Sequence, residues 1–350
     1  MRLACLLLSA ALVPAGLAAA ASSSAPTTAQ MVGQLVVAAM PAKVASAWFL
    51  SRIRHGQVGS VILFSRNFGL AGPAALDAQL QAAAESGGQP PLLIMVDQEG
   101  GIVKRLTGAP TVGAPAMTDP AAARSQGAAT AANLARNGIN VDLAPVLDIG
   151  RGGFITSRTF GGTAADVAVR GTAFAEGLAT GGVVATGKHF PGLGWAMTNT
   201  DDAATVIRAT RALVLADLQP YRTAIAAGLP MVMVSTAVYP TLGVKIPAAT
   251  ARIVVGGLLR GQLGFKGVVI TDDLNTPAIH AYFTTSAAAV RAVGAGVDLI
   301  LAGGTGGPTV DGGSAAVYQA LLQAAQSGSL PPATIAAAYG RVMKLKASLP

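Results

Sequence analysis

Eight short apolar runs recur along the 350-residue chain, and this repeat restricts its fold more than any other feature. Each run is followed by a break rich in glycine, proline or polar residues and, in most cases, by an alanine-rich segment long enough for a helix. The runs are 34–40, 58–64, 92–96, 141–147, 183–187, 231–235, 268–271 and 297–301. Apolar strands that alternate with helices predict a parallel sheet covered on both faces. The count of eight predicts a single-domain α/β fold, a closed (β/α)8 TIM barrel, with a doubly wound open sheet as the alternative.

The first residues have the features of a secretory signal peptide. Arg2 supplies a positive charge, residues 3–17 are largely apolar, and residues 18–21 are alanines that suit a cleavage site. We therefore predict a signal peptide at 1–21, a disordered lead-in at 22–30 and the barrel at 31–350, with an uncleaved anchor as the alternative. The uncharged run 223–244 is broken by glycines and prolines, so it does not predict a membrane helix. The sequence thus predicts a secreted, extracytoplasmic protein without stable membrane insertion.

Composition excludes several kinds of partner. The formal net charge is +8, but the basic residues are scattered and not interleaved with aromatics, so nucleic acid is not expected. Cys5 is the only cysteine and lies in the predicted signal peptide, so the mature chain has no thiol chemistry. No histidine pair or His/Asp spacing suits a metal, and neither a metal nor a cofactor is predicted. We expect a monomer or a weak dimer.

Polar residues that suit catalysis follow several of the predicted strands. Lys188 and His189 follow the fifth strand, and Asp272 and Asp273 follow the seventh. Others follow the second, third, fourth and sixth strands: Ser65, Arg66, Asn67, Asp97, Glu99, Arg105, Asp148, Arg158 and Ser235. The carboxyl ends of the strands form the active face of such a barrel, so we expect these side chains to meet there. Because the chain has only 16 acidic residues, their concentration at one rim indicates an enzyme rather than solvated loops.

The same segments resemble the catalytic barrel of glycoside hydrolase family 3. They are VILFSRN at 61–67, VDQEGG at 96–101 with Arg105 beyond it, APVLDIG at 144–150, SRTFGG at 157–162, KHFPG at 188–192 and GVVITDDL at 267–274. They occur in the family's order, and the resemblance extends over residues 32–345. It is strongest to the single-domain bacterial exo-β-N-acetylglucosaminidases. It implies an enzyme that acts on carbohydrate and needs no cofactor.

The resemblance also implies roles for individual residues. Asp272 corresponds to the nucleophile of a retaining glycosidase. Five residues correspond to the pocket that holds the hydroxyl groups of the terminal sugar: Asp97, Arg105, Arg158, Lys188 and His189. A carboxylate held rigidly at a strand end suits attack on an anomeric carbon. The alternative role for Asp272 is to cap the next helix, for which Asp273 is better suited.

The loop after KHFPG departs from the family. The N-acetylglucosaminidase branch has an Asp-Ser-His there, whose histidine is the acid/base, whereas an ungapped comparison brings Asp201 to the position of that histidine. Three interpretations are open. Asp201 or its neighbour Asp202 acts as the acid/base, or another group or a very activated leaving group replaces it, or the barrel binds sugars without turnover. Asp201 is the candidate taken here, with Trp195 and Met197 as its apolar cover, and a helix cap as its alternative role.

The sequence constrains the identity of the sugar less than the type of reaction. Ile102 stands where the family often has an arginine, so the resemblance leaves fine specificity open. The predicted function is a retaining exo-glycosidase that removes terminal β-linked N-acetylglucosamine, including from cell-wall fragments. A β-glucosidase or β-xylosidase of the same family is one alternative, and a non-catalytic cell-wall sugar-binding barrel is the other.

Overall fold

Eight parallel strands form the centre of the protein. A computed structural model describes residues 25–68, 72–303 and 313–350, and the predicted signal peptide lies outside them. The strands are β1 Val36–Ala39, β2 Ser60–Leu63, β3 Leu93–Val96, β4 Val141–Asp142, β5 Val184–Phe190, β6 Met231–Val234, β7 Val268–Thr271 and β8 Ile300–Ala302. Every residue of these strands is buried, as expected for a sheet with helices outside and packed side chains inside.

The sheet closes on itself. The strand order is β8-β1-β2-β3-β4-β5-β6-β7, and β1 pairs with β8 in a register that sets Val36 opposite Ile300. Between β7 and β8, a parallel bridge joins Ile270 and Leu299, and the N–H of Thr271 donates to the Leu299 carbonyl at 3.0 Å. These contacts confirm the predicted (β/α)8 barrel, and the open-sheet alternative is wrong.

Helices surround the barrel. They are α1 Thr28–Gln34, α2 Ala47–Arg54, α3 Ala74–Ser86, α4 Pro120–Ala135, α5 Ala164–Thr180, α6 Arg211–Ala216, α7 Gln219–Ala226, α8 Pro277–His280, α9 Thr285–Ala295, α10 Ser314–Gln326 and α11 Pro332–Lys346, with a π-helix at Ile253–Gln262. Within the described part of the chain, none of the helices is long and apolar enough to span a membrane.

The N-terminal helix starts earlier than the predicted barrel. α1 begins at Thr28, so residues 28–30 are helical and do not belong to a disordered lead-in. The reason is a capping box. The Thr27 side chain accepts from the N–H of Gln30, and the Gln30 side chain accepts from the N–H of Thr27. Two backbone donors that would otherwise lack partners are satisfied in this way, which fixes the start of the helix.

Small residues let the outer helices pack closely. At Gly127 in α4, an added Cβ would lie 2.2 Å from the carbonyl oxygen of Phe174 in α5. At Gly177 in α5, it would lie 2.2 Å from the Arg124 carbonyl oxygen. The glycine- and alanine-rich composition therefore serves this contact, because larger side chains would push the two helices apart.

A short hairpin extends above the carboxyl end of β3. It consists of strands Gln98–Gly100 and Val103–Lys104. The fully buried side chain of Gln98 anchors it: its oxygen accepts from the N–H groups of Arg105 at 2.9 Å and Leu106 at 3.0 Å. Its amide nitrogen donates to the carbonyls of Leu106 and Ala109. The base of the hairpin is therefore fixed relative to the rim of the barrel.

Candidate active site

A pocket of about 300 Å³ opens at the carboxyl ends of the strands. It is lined by all seven residues that were predicted to act in catalysis or to bind the sugar: Asp97, Arg105, Arg158, Lys188, His189, Asp201 and Asp272. Its lining also includes apolar side chains from the barrel interior: Ile62, Leu143, Met233 and Leu301. The volume is at the lower end of the range for ligand pockets, which suits one sugar unit better than a long chain.

A network of five charged side chains forms one side of the pocket. The Nζ of Lys188 lies 2.7 Å from Asp97 Oδ1 and 2.8 Å from Glu99 Oε1. Arg158 binds Glu99 with two parallel hydrogen bonds, Nε to Oε2 at 2.9 Å and Nη2 to Oε1 at 2.6 Å. Arg105 approaches Asp97 more loosely, at 3.6 Å. Such a network holds donors and acceptors at fixed positions, as recognition of vicinal hydroxyl groups requires.

Mutual attraction keeps the buried members of this network ionised. Burial alone would raise the pKa of Asp97, but Lys188 and Arg105 lower it to about 2. Burial likewise opposes the charge of Glu99, yet Lys188 and Arg158 hold the pKa of Glu99 below its ordinary value. For Lys188, burial lowers the pKa, but Asp97 and Glu99 outweigh it and raise the pKa overall. The network therefore presents charged groups to a ligand at neutral pH.

Glu99 belongs to this network, although the sequence placed it at the rim without indicating a specific role. It follows β3 by only three positions, and its side chain is 5% exposed. The Asp-Gln-Glu segment could have indicated its role, but from this segment the resemblance implied a role for Asp97 alone. Because Glu99 contacts both Lys188 and Arg158, it fixes two of the predicted sugar-binding side chains at once.

His189 is oriented by Asp148, a second rim residue for which the sequence indicated no specific role. Its Nδ1 lies 2.7 Å from Oδ2 of Asp148, a contact that requires the proton on Nδ1. The carboxylate of Asp148 also accepts from the N–H of His189 at 3.2 Å and from that of Leu193 at 2.7 Å. Asp148 is 1% exposed and follows β4. It therefore fixes the His189 ring and the start of the loop that leads to Asp201.

The carboxylates after β7 do not cap a helix. Oδ1 of Asp272 accepts from the N–H of Asp273 at 2.8 Å. Oδ1 of Asp273 accepts from the N–H groups of Asn275 at 2.8 Å and Gly303 at 2.9 Å. The N-cap residue of α8 is Thr276. The helix-cap role considered for Asp272 and the one preferred for Asp273 are both wrong, because the chain makes a turn before α8 begins.

Asp201 lines the same pocket as Asp272. Burial, followed by the negative charges of Asp272 and Asp273, raises the pKa of Asp201 to about 6. Asp201 does not cap the helix after its loop, since the N-cap of α6 is Thr210. Its neighbour Asp202 is exposed and does not line the pocket. The loop therefore brings one carboxyl group, that of Asp201, into the pocket and keeps it largely protonated at mildly acidic pH.

The apolar cover expected for Asp201 comes from other residues. The indole N–H of Trp195 donates to Asp217 at 2.8 Å, and the Arg151 guanidinium lies 5.0 Å from the centre of the Trp195 ring. Met197 is 77% exposed, and neither Met197 nor Trp195 lines the pocket. The expectation was wrong because Asp217 and Arg151 bind the Trp195 ring. Leu193 from the same loop lines the pocket instead.

No metal site accompanies these residues in the part of the chain that the structure describes. Among residues 25–68, 72–303 and 313–350, no group of three or more His, Cys, Asp or Glu side chains is arranged to hold a metal ion. The carboxylates of the pocket bind arginine, lysine and backbone N–H groups instead.

The sequence profile of the glycosyl hydrolase family 3 N-terminal domain matches residues 27–345. The chain belongs to glycoside hydrolase family 3. This confirms the family and, at that level, the prediction of a glycoside hydrolase. An uncharacterized secreted glycosyl hydrolase of Arthroderma benhamiae is 35% identical over 345 residues, which are 95% of this family 3 chain and 97% of the relative. A beta-hexosaminidase of Stenotrophomonas maltophilia is 36% identical over 263 residues, 71% of this chain and 77% of the relative.

Solved structures show the same family 3 architecture. A β-N-acetylglucosaminidase from Paenibacillus sp. FPU-7 has a TM-score of 0.86 and 38% identity over 93% of this chain. This chain spans 63% of the Paenibacillus chain. A β-N-acetylhexosaminidase from Beutenbergia cavernae has a TM-score of 0.83 and 35% identity, with 92% of this chain and 99% of that chain covered.

Proposed function

We propose that this family 3 protein is a retaining exo-glycosidase that hydrolyses terminal β-linked N-acetylglucosamine. The observation that carries the proposal is the pair of carboxyl groups in one pocket, Asp272 and Asp201, of which Asp201 has a pKa raised to about 6. Two carboxyl groups in different protonation states are what retention requires, one as nucleophile and one as acid/base. The names of the Paenibacillus and Beutenbergia relatives support N-acetylglucosamine as the sugar.

The charged network is proposed to hold the hydroxyl groups of the terminal sugar. Asp97 offers carboxylate oxygens and Lys188 donates from the same side of the pocket, while Glu99 lies behind them and holds Lys188 and Arg158 in place. Fixed charged partners bind and orient hydroxyl groups without reorganising when the substrate arrives. Barrel side chains such as Leu143 and Met233 line the base of the pocket. Leu143 and Met233 also belong to a buried core cluster, and a barrel interior packed with side chains supports an exo-acting enzyme that removes one sugar from the chain end.

In the proposed first step, the Asp272 carboxylate attacks the anomeric carbon and forms a glycosyl ester. The bond to the leaving oxygen breaks as Asp201 transfers its proton to that oxygen. In the second step, Asp201 takes a proton from a water molecule, the water oxygen attacks the anomeric carbon, and Asp272 leaves as a carboxylate. The configuration is inverted twice and therefore retained. His189, held by Asp148, is assigned to orienting the sugar.

Asp201 is the proposed acid/base because the pocket gives it the proton that the role needs. A surface aspartate would be ionised at pH 6, whereas burial and the charge of Asp272 hold a proton on Asp201. Asp202 is exposed, which supports Asp201 rather than Asp202 as the acid/base. The alternative of a sugar-binding barrel without turnover has no such use for a carboxyl group with a raised pKa.

The location of the enzyme and the source of its substrate are proposed from the N-terminal sequence and from a relative. The Arthroderma relative is described as secreted, and this chain begins with the features of a signal peptide, so we propose an extracytoplasmic enzyme. β-Linked N-acetylglucosamine in cell-wall fragments is the proposed source of substrate. A monomer is proposed.

A panel of 4-nitrophenyl β-glycosides tests the proposal. The N-acetylglucosaminide is expected to be cleaved with at least about 100-fold higher kcat/KM than the glucoside or xyloside, since the pocket selects by hydrogen-bonded groups. The sugar is expected to be released as the β-anomer, which NMR can detect before the anomers equilibrate. Release only from the glucoside contradicts the sugar assignment. Binding of N-acetylglucosamine without turnover of any glycoside favours the non-catalytic barrel.

A further inference from the structure

An isoleucine stands at the mouth of the pocket on the tip of the hairpin. Ile102 lines the pocket and yet is 73% exposed. It belongs to the turn between the strands Gln98–Gly100 and Val103–Lys104. The strand Gln98–Gly100 separates this turn from Asp97, whose side chain is only 16% exposed. Because Ile102 is the more exposed part of the lining, we place the leaving group beside it, at the mouth of the pocket.

The position of this isoleucine is fixed by the backbone around it. Gly100 has φ +90°, and a Cβ added there would lie 2.3 Å from the carbonyl oxygen of Val112. Gly101 has φ +60°, and an added Cβ would lie 3.3 Å from the Cα of Gly113. The tip thus packs directly on the backbone of 112–113, and Gln98 anchors the base. A rigid support makes Ile102 a preformed apolar contact instead of a side chain on a mobile loop.

The charges of the pocket are unevenly distributed. Its lining cations, Arg105, Arg158 and Lys188, all contact Asp97 or Glu99 in the network assigned to the terminal sugar. The lining residues assigned to the bond that breaks are the acids Asp201 and Asp272. The remaining lining acid besides Asp97 is Asp273, which interacts with Arg66, a residue outside the lining. A leaving group therefore meets negative charge on one part of the lining and an apolar tip on another.

We propose that the leaving-group side of this pocket accepts neutral glycosides, which rest an apolar face on Ile102, and rejects glycosides whose leaving sugar carries a free carboxylate, so that cell-wall fragments are accepted where that carboxyl is amide-linked. This inference rests on the proposed function, because it uses Asp201 and Asp272 as the groups that flank the scissile bond. An apolar contact binds the carbon face of a neutral pyranose at little cost. A carboxylate at the same place faces the repulsion of Asp272 without a lining cation assigned to that side.

Matched disaccharides test the inference at pH 6. The first is N-acetylglucosamine β-1,4-linked to N-acetylmuramic acid with a free lactyl carboxylate, and the second is the same compound with that carboxyl as its methylamide. N,N′-diacetylchitobiose is a third, neutral substrate. We expect kcat/KM to be roughly tenfold lower for the free carboxylate, the size of one like-charge contact at a partly solvated site. Added salt is expected to shrink the difference, because it screens such contacts.

Variants of the exposed tip locate the effect. In Ile102→Arg, kcat/KM for the amide is expected to exceed kcat/KM for the free acid by no more than about threefold, because the arginine adds a cation at the mouth of the pocket. Ile102→Gln, which is polar but uncharged, is expected to keep the discrimination and to raise KM for both neutral disaccharides. Val44→Arg is the charge-matched control: Val44 is 71% exposed and outside the lining, so this variant is expected to keep the wild-type ratio.

The outcomes separate the inference from the proposed function. Equal kcat/KM for the free acid and the amide, or an unchanged ratio in Ile102→Arg, overturns the inference. Cleavage of the 4-nitrophenyl N-acetylglucosaminide without cleavage of either neutral disaccharide also overturns it. No cleavage of the nitrophenyl compound itself shows that the proposed function has failed.

Discussion

Replacement of Asp201 by asparagine is the sharpest test of the acid/base assignment. The variant keeps the shape of the side chain but cannot transfer a proton to the leaving oxygen. We expect kcat/KM to fall by roughly 10²- to 10⁴-fold for a disaccharide or a methyl glycoside, which is the usual contribution of general acid catalysis. For a 2,4-dinitrophenyl glycoside, the loss in kcat/KM is expected to stay within about tenfold, because this leaving group needs no proton.

The magnitude of the pH effect follows from the environment of Asp201. Its pKa of about 6 raises the protonated fraction at pH 6 to about one half, compared with about 1% at the ordinary value of 3.8. The acid must be protonated in the first step, so kcat/KM of the wild type is expected to fall tenfold per pH unit well above pH 6. Asp201→Asn cannot lose this proton, and its profile is expected to be flat over the same range.

Initial rates between pH 4 and 9 on three leaving groups measure both effects. Asp202→Asn is the matched control, since it makes the same chemical change at the adjacent, exposed residue. It is expected to show wild-type rates and the wild-type pH profile. An equal loss on all three leaving groups, no loss on any, or an alkaline limb that persists in Asp201→Asn refutes the assignment and leaves Asp201 without a catalytic role.

Three further predictions concern the nucleophile, the charged network and stability. Asp272→Ala is expected to lower turnover by roughly 10³-fold or more, and azide is expected to restore part of it as an α-glycosyl azide detectable by NMR; near-normal activity would contradict the mechanism. Glu99→Gln is expected to reduce kcat/KM by roughly 100-fold in steady-state assays, because it removes the charged partner of Lys188 and Arg158, whereas an unchanged value would exclude Glu99 from the site. Burial lowers the pKa of Lys346 from 10.5 to about 7, so the unfolded chain binds this proton more strongly between these pH values. Denaturant titrations are therefore expected to show that the difference in free energy of unfolding between the wild type and Lys346→Met rises by up to ~1.4 kcal/mol per pH unit from pH 7 to 10. The same pH dependence in both proteins would contradict this.

The strands could be predicted because a parallel sheet inside a ring of helices has no polar face. Each of the eight apolar runs overlaps an observed strand, and the bounds of β7, Val268–Thr271, match the predicted run. The run at 141–147 is less regular: β4 ends at Asp142, and Pro145, which has no N–H, interrupts the ladder before Val146 bridges to Lys188.

The fifth strand is longer than its apolar run indicated. The sequence predicted that it ends at residue 187, but β5 continues to Phe190. Lys188 and His189 are polar and looked like loop residues, yet both are buried in the strand. Their burial is possible because Asp97 and Asp148 bind them, and these partners are distant in sequence. Sequence patterns near a residue do not show such partners.

For the same reason, the sequence identified the residues of the pocket better than their supports. The seven predicted residues come from recognisable segments at strand ends, and the structure brings them to one pocket. Glu99 and Asp148, which hold three of them, were visible as polar residues but had no assigned task. Trp195 was assigned to the wrong place because its partner Asp217 lies 22 residues further along the chain.

The loop that carries Asp201 is fastened at its ends and not in its middle. Asp148 holds Leu193, Asp217 holds Trp195, and the Tyr239 hydroxyl donates to the Gly192 carbonyl at 3.0 Å. On the far side, the Thr205 hydroxyl donates to the carbonyl of residue 198. These supports use few side chains from 199–202, so the acid there can differ without a change in how the loop is held. The histidine that the resemblance implies for this position and the aspartate found here are therefore both compatible with the same supports.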